Sequence, residues 1–147
     1  LPENAEVEEE LRTHQRLFQS EEQASTVQHL RRKAVDIMGI LRQFTPYLTG
    51  SVLDGSAGRY AEIDIQLFTD SVKDVEIFLL NRQIDYQYDT PRTGRAEAVF
   101  VISDGEVTAN LVVYPSKYER ISFKTREGRT RPRARVETVA ALLEIQP

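Results

Sequence analysis

Apolar residues recur at helical spacing at both ends of the chain and alternate with polar residues between them. A first helix is predicted over residues 5–19. Ser20-Glu21-Glu22-Gln23 then has the sequence of a capping box, which satisfies backbone donors at the start of a helix. Apolar positions next recur every three or four residues as far as about Phe44. Two N-terminal helices are therefore expected, the second with a continuous apolar face: Val27, Leu30, Ala34, Ile37, Met38 and Leu41.

The middle of the chain has the alternation of half-buried β-strands. The clearest case is Glu62–Phe68, which places Ile63, Ile65 and Leu67 on one face and Glu62, Asp64 and Gln66 on the other. The other predicted strands are Pro46–Thr49, Ile84–Tyr88, Ala96–Ser103 and Glu106–Tyr114. Asp104-Gly105 joins the last two, and this dipeptide is a strong signal for a two-residue hairpin turn.

Two more helices complete the predicted order of elements. One is capped by Asp70 or Ser71, and the other begins at Pro132, a residue suited to a first helical turn. The resulting order, α-α-β-β-α-β-β-β-α, predicts an α+β fold with a mixed or antiparallel sheet backed by helices. We expect a single domain over residues 1–147, comprising an N-terminal helical extension (1–24), a core (25–116), and a basic segment with the C-terminal helix (117–147).

Composition excludes several classes of protein. The 147 residues suffice for one apolar core, and the absence of cysteine excludes disulfides, thiolate nucleophiles and cysteine metal sites. With only His14 and His29, a serine–histidine–aspartate triad has no plausible setting. No apolar run approaches the roughly 20 residues that span a bilayer, and the start is acidic, so we expect a cytoplasmic, bacterial protein without a membrane partner. The chain begins Leu1-Pro2, as a trimmed part of a longer product would.

Charge is unevenly distributed along this acidic chain. Residues 1–23 hold seven acidic residues against two arginines, whereas residues 117–135 hold eight basic residues against two glutamates. The basic segment 117–135 is a candidate contact for an RNA or protein acceptor, and Tyr114, Tyr118 and Phe123 interleave with it as candidate stacking surfaces. Two plainer interpretations remain open: a solvated loop, and aromatic side chains that only fix the last helix to the sheet.

The segment from Gly50 to Leu67 is the most informative for chemistry. Gly50-Ser51 follows a strand, where bare backbone and a hydroxyl can approach a phosphate. Glu62 and Asp64 stand two apart on the next strand, so their carboxylates share a face and repel unless a cation lies between them. Mg²⁺ prefers oxygen ligands and often travels with substrate phosphates. The alternative is that this acidic pair simply forms the solvated face of a half-covered sheet.

The spacing resembles the nucleotidyltransferase fold of the DNA polymerase β superfamily, and more narrowly its minimal bacterial members. The resemblance covers about residues 27–115. The motif positions of that family are occupied here by Gly50, Ser51, Gly55, Ala57, Ala61, Glu62 and Asp64. Neither a Walker A loop nor a Rossmann glycine fingerprint is present.

This resemblance implies Mg²⁺-dependent (or Mn²⁺-dependent) transfer of a nucleotidyl group from an NTP to an unidentified acceptor. Gly50 and Ser51 would hold the triphosphate, and Glu62 and Asp64 the metal. The family's third acid falls on a later strand, where this chain has Asn110, which is neutral and cannot act as a base.

Four residues bear further on the expected site. Glu62 replaces the usual aspartate at the first acidic position. Glu106 and Glu97 are weaker substitutes for the missing third acid. Arg59 is a candidate phosphate contact, with an ordinary exposed loop arginine as the alternative.

Two other functions stay open at this point. One is a catalytically degenerate regulatory module on the same scaffold, antitoxin-like, which would bind a partner protein through the acidic N-terminal helices. The other is a nucleic-acid-binding domain built on the basic segment, whose binding would depend steeply on salt.

Overall fold

The computed structural model describes the backbone of residues 2–121 and 128–145 and the side chains of residues 21–121 and 128–144. Its helices are α1 (Pro2–Ile40), α2 (Ser51–Asp54), α3 (Val72–Asn81) and α4 (Val136–Ile145). Its strands are β1 (Tyr47–Thr49), β2 (Ile63–Phe68), β3 (Tyr86–Asp89), β4 (Ala98–Ser103), β5 (Thr108–Tyr114) and β6 (Arg133–Ala134). Short 3-10 helices cover Arg42–Phe44 and Ser116–Arg120.

The strands form one mixed sheet in the order β3-β4-β5-β2-β1-β6. β2 and β5 are parallel, and the other neighbouring pairs are antiparallel. The expected α+β class is confirmed. The parallel pair lies at the centre of the sheet, where a connection through α3, β3 and β4 brings β5 back beside β2.

The two faces of the sheet have different roles, and the alternation along β2 shows why. Ile63, Ile65 and Leu67 are fully buried in the apolar core, as are Leu111 and Val113 of β5. This core face is covered by helices, which contribute Leu30, Ala34, Met38, Val75, Leu79 and Val139. The polar side chains of β2 therefore lie on the opposite face, which carries the cavity described below.

The N-terminal region forms one helix where two were expected. α1 runs without interruption from Pro2 to Ile40. Residues 3–38 contain neither proline nor glycine, so nothing in this stretch favours a break, and Ser20 stays helical instead of beginning a new helix. After Ile40 a 3-10 helix follows over Arg42–Phe44, and Thr45 ends it with a left-handed φ of 55° before Pro46.

Three other boundaries differ from expectation in informative ways. The last helix begins at Val136 because the two residues of β6 pair with β1. Ser71, not Asp70, caps α3, by accepting from the Asp74 amide at 3.2 Å. The β4–β5 hairpin closes through the four residues 104–107, since the last ladder pair is Ser103 with Thr108. None of the helices in the described ranges is long and apolar enough to cross a membrane.

Candidate functional site

The two predicted acidic residues meet Asn110 at the centre of the sheet. The register places Asp64 of β2 directly opposite Asn110 of β5 and Thr49 of β1. Asn110 Nδ2 donates to Asp64 Oδ1 at 3.1 Å and lies 3.4 Å from Glu62 Oε2, a longer hydrogen bond. Asp64 of β2 and Glu62, which lies just before β2 and not within it as expected, thus face a single point on the neighbouring strand. The sheet register converts the acid-x-acid spacing into a cluster.

Gly50 brings the backbone against this cluster. Its φ of 80° and ψ of −158° lie in a region that is essentially limited to glycine. A Cβ built at Gly50 would lie 2.9 Å from Asp64 Oδ2, too close for a real side chain. The bend leads directly into α2, whose first residue is Ser51. Gly50 lines the cavity, whereas Ser51 does not belong to its lining residues.

Arg31 fixes the short helix that follows the bend. From α1, its Nε donates to the Val52 carbonyl at 2.9 Å and its Nη2 to the Leu53 carbonyl at 2.7 Å. Arg31 is buried, and burial lowers its pKa while nearby Asp54 opposes that shift. A four-residue helix has little stability of its own. We infer that Arg31 holds α2, and with it the Gly50 bend, in place.

A cavity of about 550 Å³ opens on this face of the sheet. This volume lies within the range of small-molecule sites. Gly50, Glu62, Asp64 and Asn110 border one part of the cavity. Its other lining residues include Thr49, Gln66, Arg92, Thr93, Tyr114 and Arg131.

The aromatic and basic part of the cavity is centred on Tyr114. Tyr114 is buried and stacks on Phe68 with ring centroids 5.5 Å apart. Burial raises the pKa of Tyr114, and a hydrogen bond with Thr93 and the charges of Arg131 and Arg95 oppose this rise. The cavity therefore combines a carboxylate cluster with nearby arginines, which suits a ligand that carries both a bound cation and negative charge.

The donor set fits one divalent cation better than two. Glu62 and Asp64 supply carboxylate oxygens, and Asn110 can turn its amide oxygen towards a cation. Over the side chains that are described, no cluster of three or more acidic, histidine or cysteine residues that could hold a metal ion occurs. Glu106, in the hairpin loop, lies 2.5 Å from His29 Nε2. Glu97 lies just before β4, whose first residue, Ala98, pairs with Val113 of β5. Neither joins the cluster.

Arg59 lies outside the main cavity. It borders a second cavity of about 490 Å³, together with Tyr60, His29 and Glu62. Its guanidinium stands 5.7 Å from the centre of the Tyr60 ring, and that side chain is 88% exposed. Glu62 lines both cavities, so it lies at the boundary between them.

Much of the basic segment that is described has local partners. Arg133 lies over the ring of Tyr47 at 4.4 Å, while the Tyr47 hydroxyl donates to Glu119 at 2.8 Å. Arg135 lies 3.5 Å from the same glutamate. Of the described basic residues in this segment, Arg131 lines the main cavity. The candidate stacking residue Phe123, with Lys124 and Arg126, lies outside the described residues.

Comparison with known proteins gives distant structural matches. No protein-family model matches the chain, and no curated protein matches it by sequence. Among solved structures, it resembles a cytoplasmic RNA terminal U-transferase, at 13% identity over 58% of this chain and 28% of the other, with a TM-score of 0.44. It also resembles a Cid1 poly(U) polymerase variant bound to MgATP, at 14% identity, 59% and 32% coverage, and a TM-score of 0.44. The chain thus spans less than a third of either protein.

Sequence reasoning missed three residues that shape this site. Arg31 occupies the apolar face of α1, four residues after Val27, where a charged residue needs a buried partner. Gln66 lies two residues after Asp64, and residues two apart on a strand share a face. Its place on the cavity face could therefore have been predicted from the alternation. Arg92 lies in a loop between strands, and no periodic signal places a loop residue over the sheet.

Proposed function

We propose that the chain is a nucleotidyltransferase-like protein, which binds an NTP with Mg²⁺ or Mn²⁺ in the main cavity. It transfers the nucleotidyl group to an unidentified acceptor, and pyrophosphate is the leaving group. One observation carries the proposal: Glu62 and Asp64 direct their carboxylates at a single amide nitrogen of Asn110, beside the Gly50 bend. The sequence resemblance to minimal bacterial nucleotidyltransferases supports the same assignment, and the narrower type stays a prediction.

Each residue has a defined task in this proposal. Glu62 and Asp64 would hold the cation, which when bound offsets the negative charge on the reacting phosphate oxygens. The Gly50–Ser51 bend would offer bare backbone to the triphosphate, and glycine is needed there because a side chain at Gly50 would collide with Asp64. Arg131 attracts the anionic substrate from across the cavity. Arg59 would contact a phosphate from the smaller cavity on the other side of Glu62.

Proton transfer is the weak step of such a reaction here. An attacking hydroxyl has to lose its proton, and the neutral amide of Asn110 cannot accept one. The proton must therefore pass to a carboxylate of the same cluster or to solvent. We expect turnover to be slower than with a third carboxylate at this position.

Asn110 also favours a second candidate function, a catalytically degenerate module that regulates or binds a partner. Its amide nitrogen hydrogen-bonds both carboxylates from the point where a cation would otherwise reduce their repulsion. In this candidate function, the Asn110 amide would take the place of a cation between the two carboxylates. A partner protein would dock on α1, although the side chains of its first twenty residues lie outside the described part.

Labelling with radioactive NTPs tests both functions. The protein is incubated with each NTP, Mg²⁺ or Mn²⁺, and either total RNA or total protein as acceptor. We expect a labelled product that Asp64→Ala abolishes and that Asp85→Ala, a change of an exposed aspartate, leaves unaffected.

Each other outcome has a separate meaning. Labelling that persists in Asp64→Ala excludes the proposed site. NTP binding without turnover favours the degenerate module. RNA binding that is steeply salt-dependent and survives the loss of Asp64, without NTP binding, favours the nucleic-acid-binding domain.

A further inference from the structure

Gln66 is a buried polar side chain with an unused hydrogen-bonding atom. It lies on β2, is only 2% exposed and borders the main cavity. Within the described part of the structure, its Oε1 has no hydrogen-bond partner. Buried polar atoms in proteins are nearly always paired, because leaving one unpaired costs the free energy of its lost hydration. Because Gln66 lines the cavity, a rotation of its side chain would turn this unpaired acceptor towards a bound ligand.

The position of Gln66 relative to the acidic cluster narrows the choice of ligand atom. It follows Asp64 by two residues, so both side chains leave the same face about 7 Å apart along the strand. In the sheet, Gln66 lies opposite Val112 of β5, and the next residue on that face of β5 is Tyr114. Gln66 thus lies between the carboxylate cluster and the aromatic part of the cavity.

A nucleotide bound as proposed above would extend along this line. With its phosphates at Asp64, the sugar and base would reach the wall formed by Gln66 and the apolar side chain of Val112. A carbonyl oxygen such as Gln66 Oε1 requires a donor, and the nucleoside half of an NTP offers hydroxyl groups on the sugar and N–H groups on the base. The phosphates offer acceptors instead, so they do not match this atom.

We propose that Gln66 is a specificity-determining residue, whose Oε1 accepts a hydrogen bond from a sugar hydroxyl or a base N–H of the bound nucleotide. This inference rests on the proposed nucleotide site. It goes further in naming the group that distinguishes one nucleotide from another. A site built to pair with a donor discriminates strongly against an analogue that lacks it, because the site's own polar atom then stays buried and unpaired.

The test measures both thermal stability and nucleotide affinity in two variants of Gln66. Gln66→Met and Gln66→Leu keep much of the side-chain volume and remove the amide. Gln43→Met makes the same chemical change at an exposed glutamine away from the cavity and serves as the control. Thermal melting is measured for each protein. Equilibrium binding of ATP, GTP, CTP and UTP, and of their 2′-deoxy forms, is then measured with Mn²⁺.

We expect opposite effects on stability and on binding. Replacing an unpaired buried amide by an apolar group should leave the melting temperature unchanged or raise it by about 2–4 °C. Binding of the preferred nucleotide should weaken about tenfold. If a sugar hydroxyl is the donor, the preference for ribonucleotides over 2′-deoxynucleotides falls towards one. If a base N–H is the donor, discrimination among the four bases falls instead.

Other results overturn the assignment and separate it from the proposed function. Wild-type affinities in both Gln66 variants, with binding lost in Asp64→Ala, would leave the nucleotide site standing and remove Gln66 from it. Lower melting temperatures with equal weakening for every nucleotide would mean a purely structural role. If wild-type protein binds no nucleotide at all, both proposals fail together.

Discussion

Replacing Asn110 by aspartate tests whether three side chains really converge. Asn110→Asp removes the donor that both carboxylates share and adds a third negative charge among them. Hydrogen bonds to charged groups are worth about 1.5–3 kcal/mol, and this open site lies towards the lower end. A like charge about 4 Å away costs about 1–4 kcal/mol between the dielectric limits of water and a protein surface. We therefore expect a loss of about 2.5–5.5 kcal/mol in free energy of unfolding at pH 7 without divalent ions.

The measurement is thermal melting in EDTA and with Mn²⁺. At about 2–4 °C per kcal/mol for a chain of this size, the melting temperature should fall by roughly 5–20 °C in EDTA. Mn²⁺ at a hundred times its dissociation constant should restore about 2.7 kcal/mol. The deficit should also shrink as the pH falls towards 4, because neighbouring carboxylates raise the pKa of the new one and its protonation removes the repulsion.

The control for this experiment is Gln43→Glu, which adds one negative charge on an exposed surface. It should melt within about 2 °C of the wild type in both conditions. If Asn110→Asp is as stable as the wild type in EDTA, and Mn²⁺ stabilises both equally, the three side chains do not form one cluster and the argument for a cation site is refuted.

Two further predictions concern the bend and the hairpin. Gly50→Ala should cost about 2–3 kcal/mol, because a Cβ there meets both an unfavourable backbone conformation and the Asp64 carboxylate. Gly58→Ala, with nothing within 4 Å of the added Cβ, should cost less than 1 kcal/mol in the same urea titrations. The Val107 amide and then the Lys33 ammonium lower the pKa of Asp104. The stabilising effect of the charged Asp104 is thus present above pH 4 and lost at lower pH. In Asp104→Asn, the free energy of unfolding should therefore fall less steeply between pH 4 and lower pH, by on the order of 1 kcal/mol or less. The same pH dependence as in the wild type would contradict this.

The fold could be predicted from the sequence where burial of one face gives the apolar residues a regular spacing. The β2 alternation is unambiguous because Ile63, Ile65 and Leu67 are all fully buried while their neighbours face a cavity. The apolar face of α1 beyond residue 25 is equally clear. Short elements gave no such signal: α2 has four residues and β6 has two, about one repeat of the helical or strand pattern, so no periodicity can be seen.

The candidate site was predicted in part. The spacing of Gly50, Glu62 and Asp64 predicted that a bend and two acids belong together. That Asp64 lies opposite Asn110 depends on the register of a parallel strand pair, and this register is set by packing between residues far apart in sequence. The orphan acceptor of Gln66 is likewise a property of its surroundings, which no local pattern encodes.

One consequence follows from the way Arg31 joins α1 to α2. Its planar guanidinium donates hydrogen bonds to two consecutive carbonyls of α2. A tilt of α2 would therefore break these bonds or move the arginine and the long helix that carries it. α1 extends for 39 residues, which is about 58 Å at helical rise. We therefore expect a displacement of this helix relative to the sheet to move the turn beside Asp64 as well.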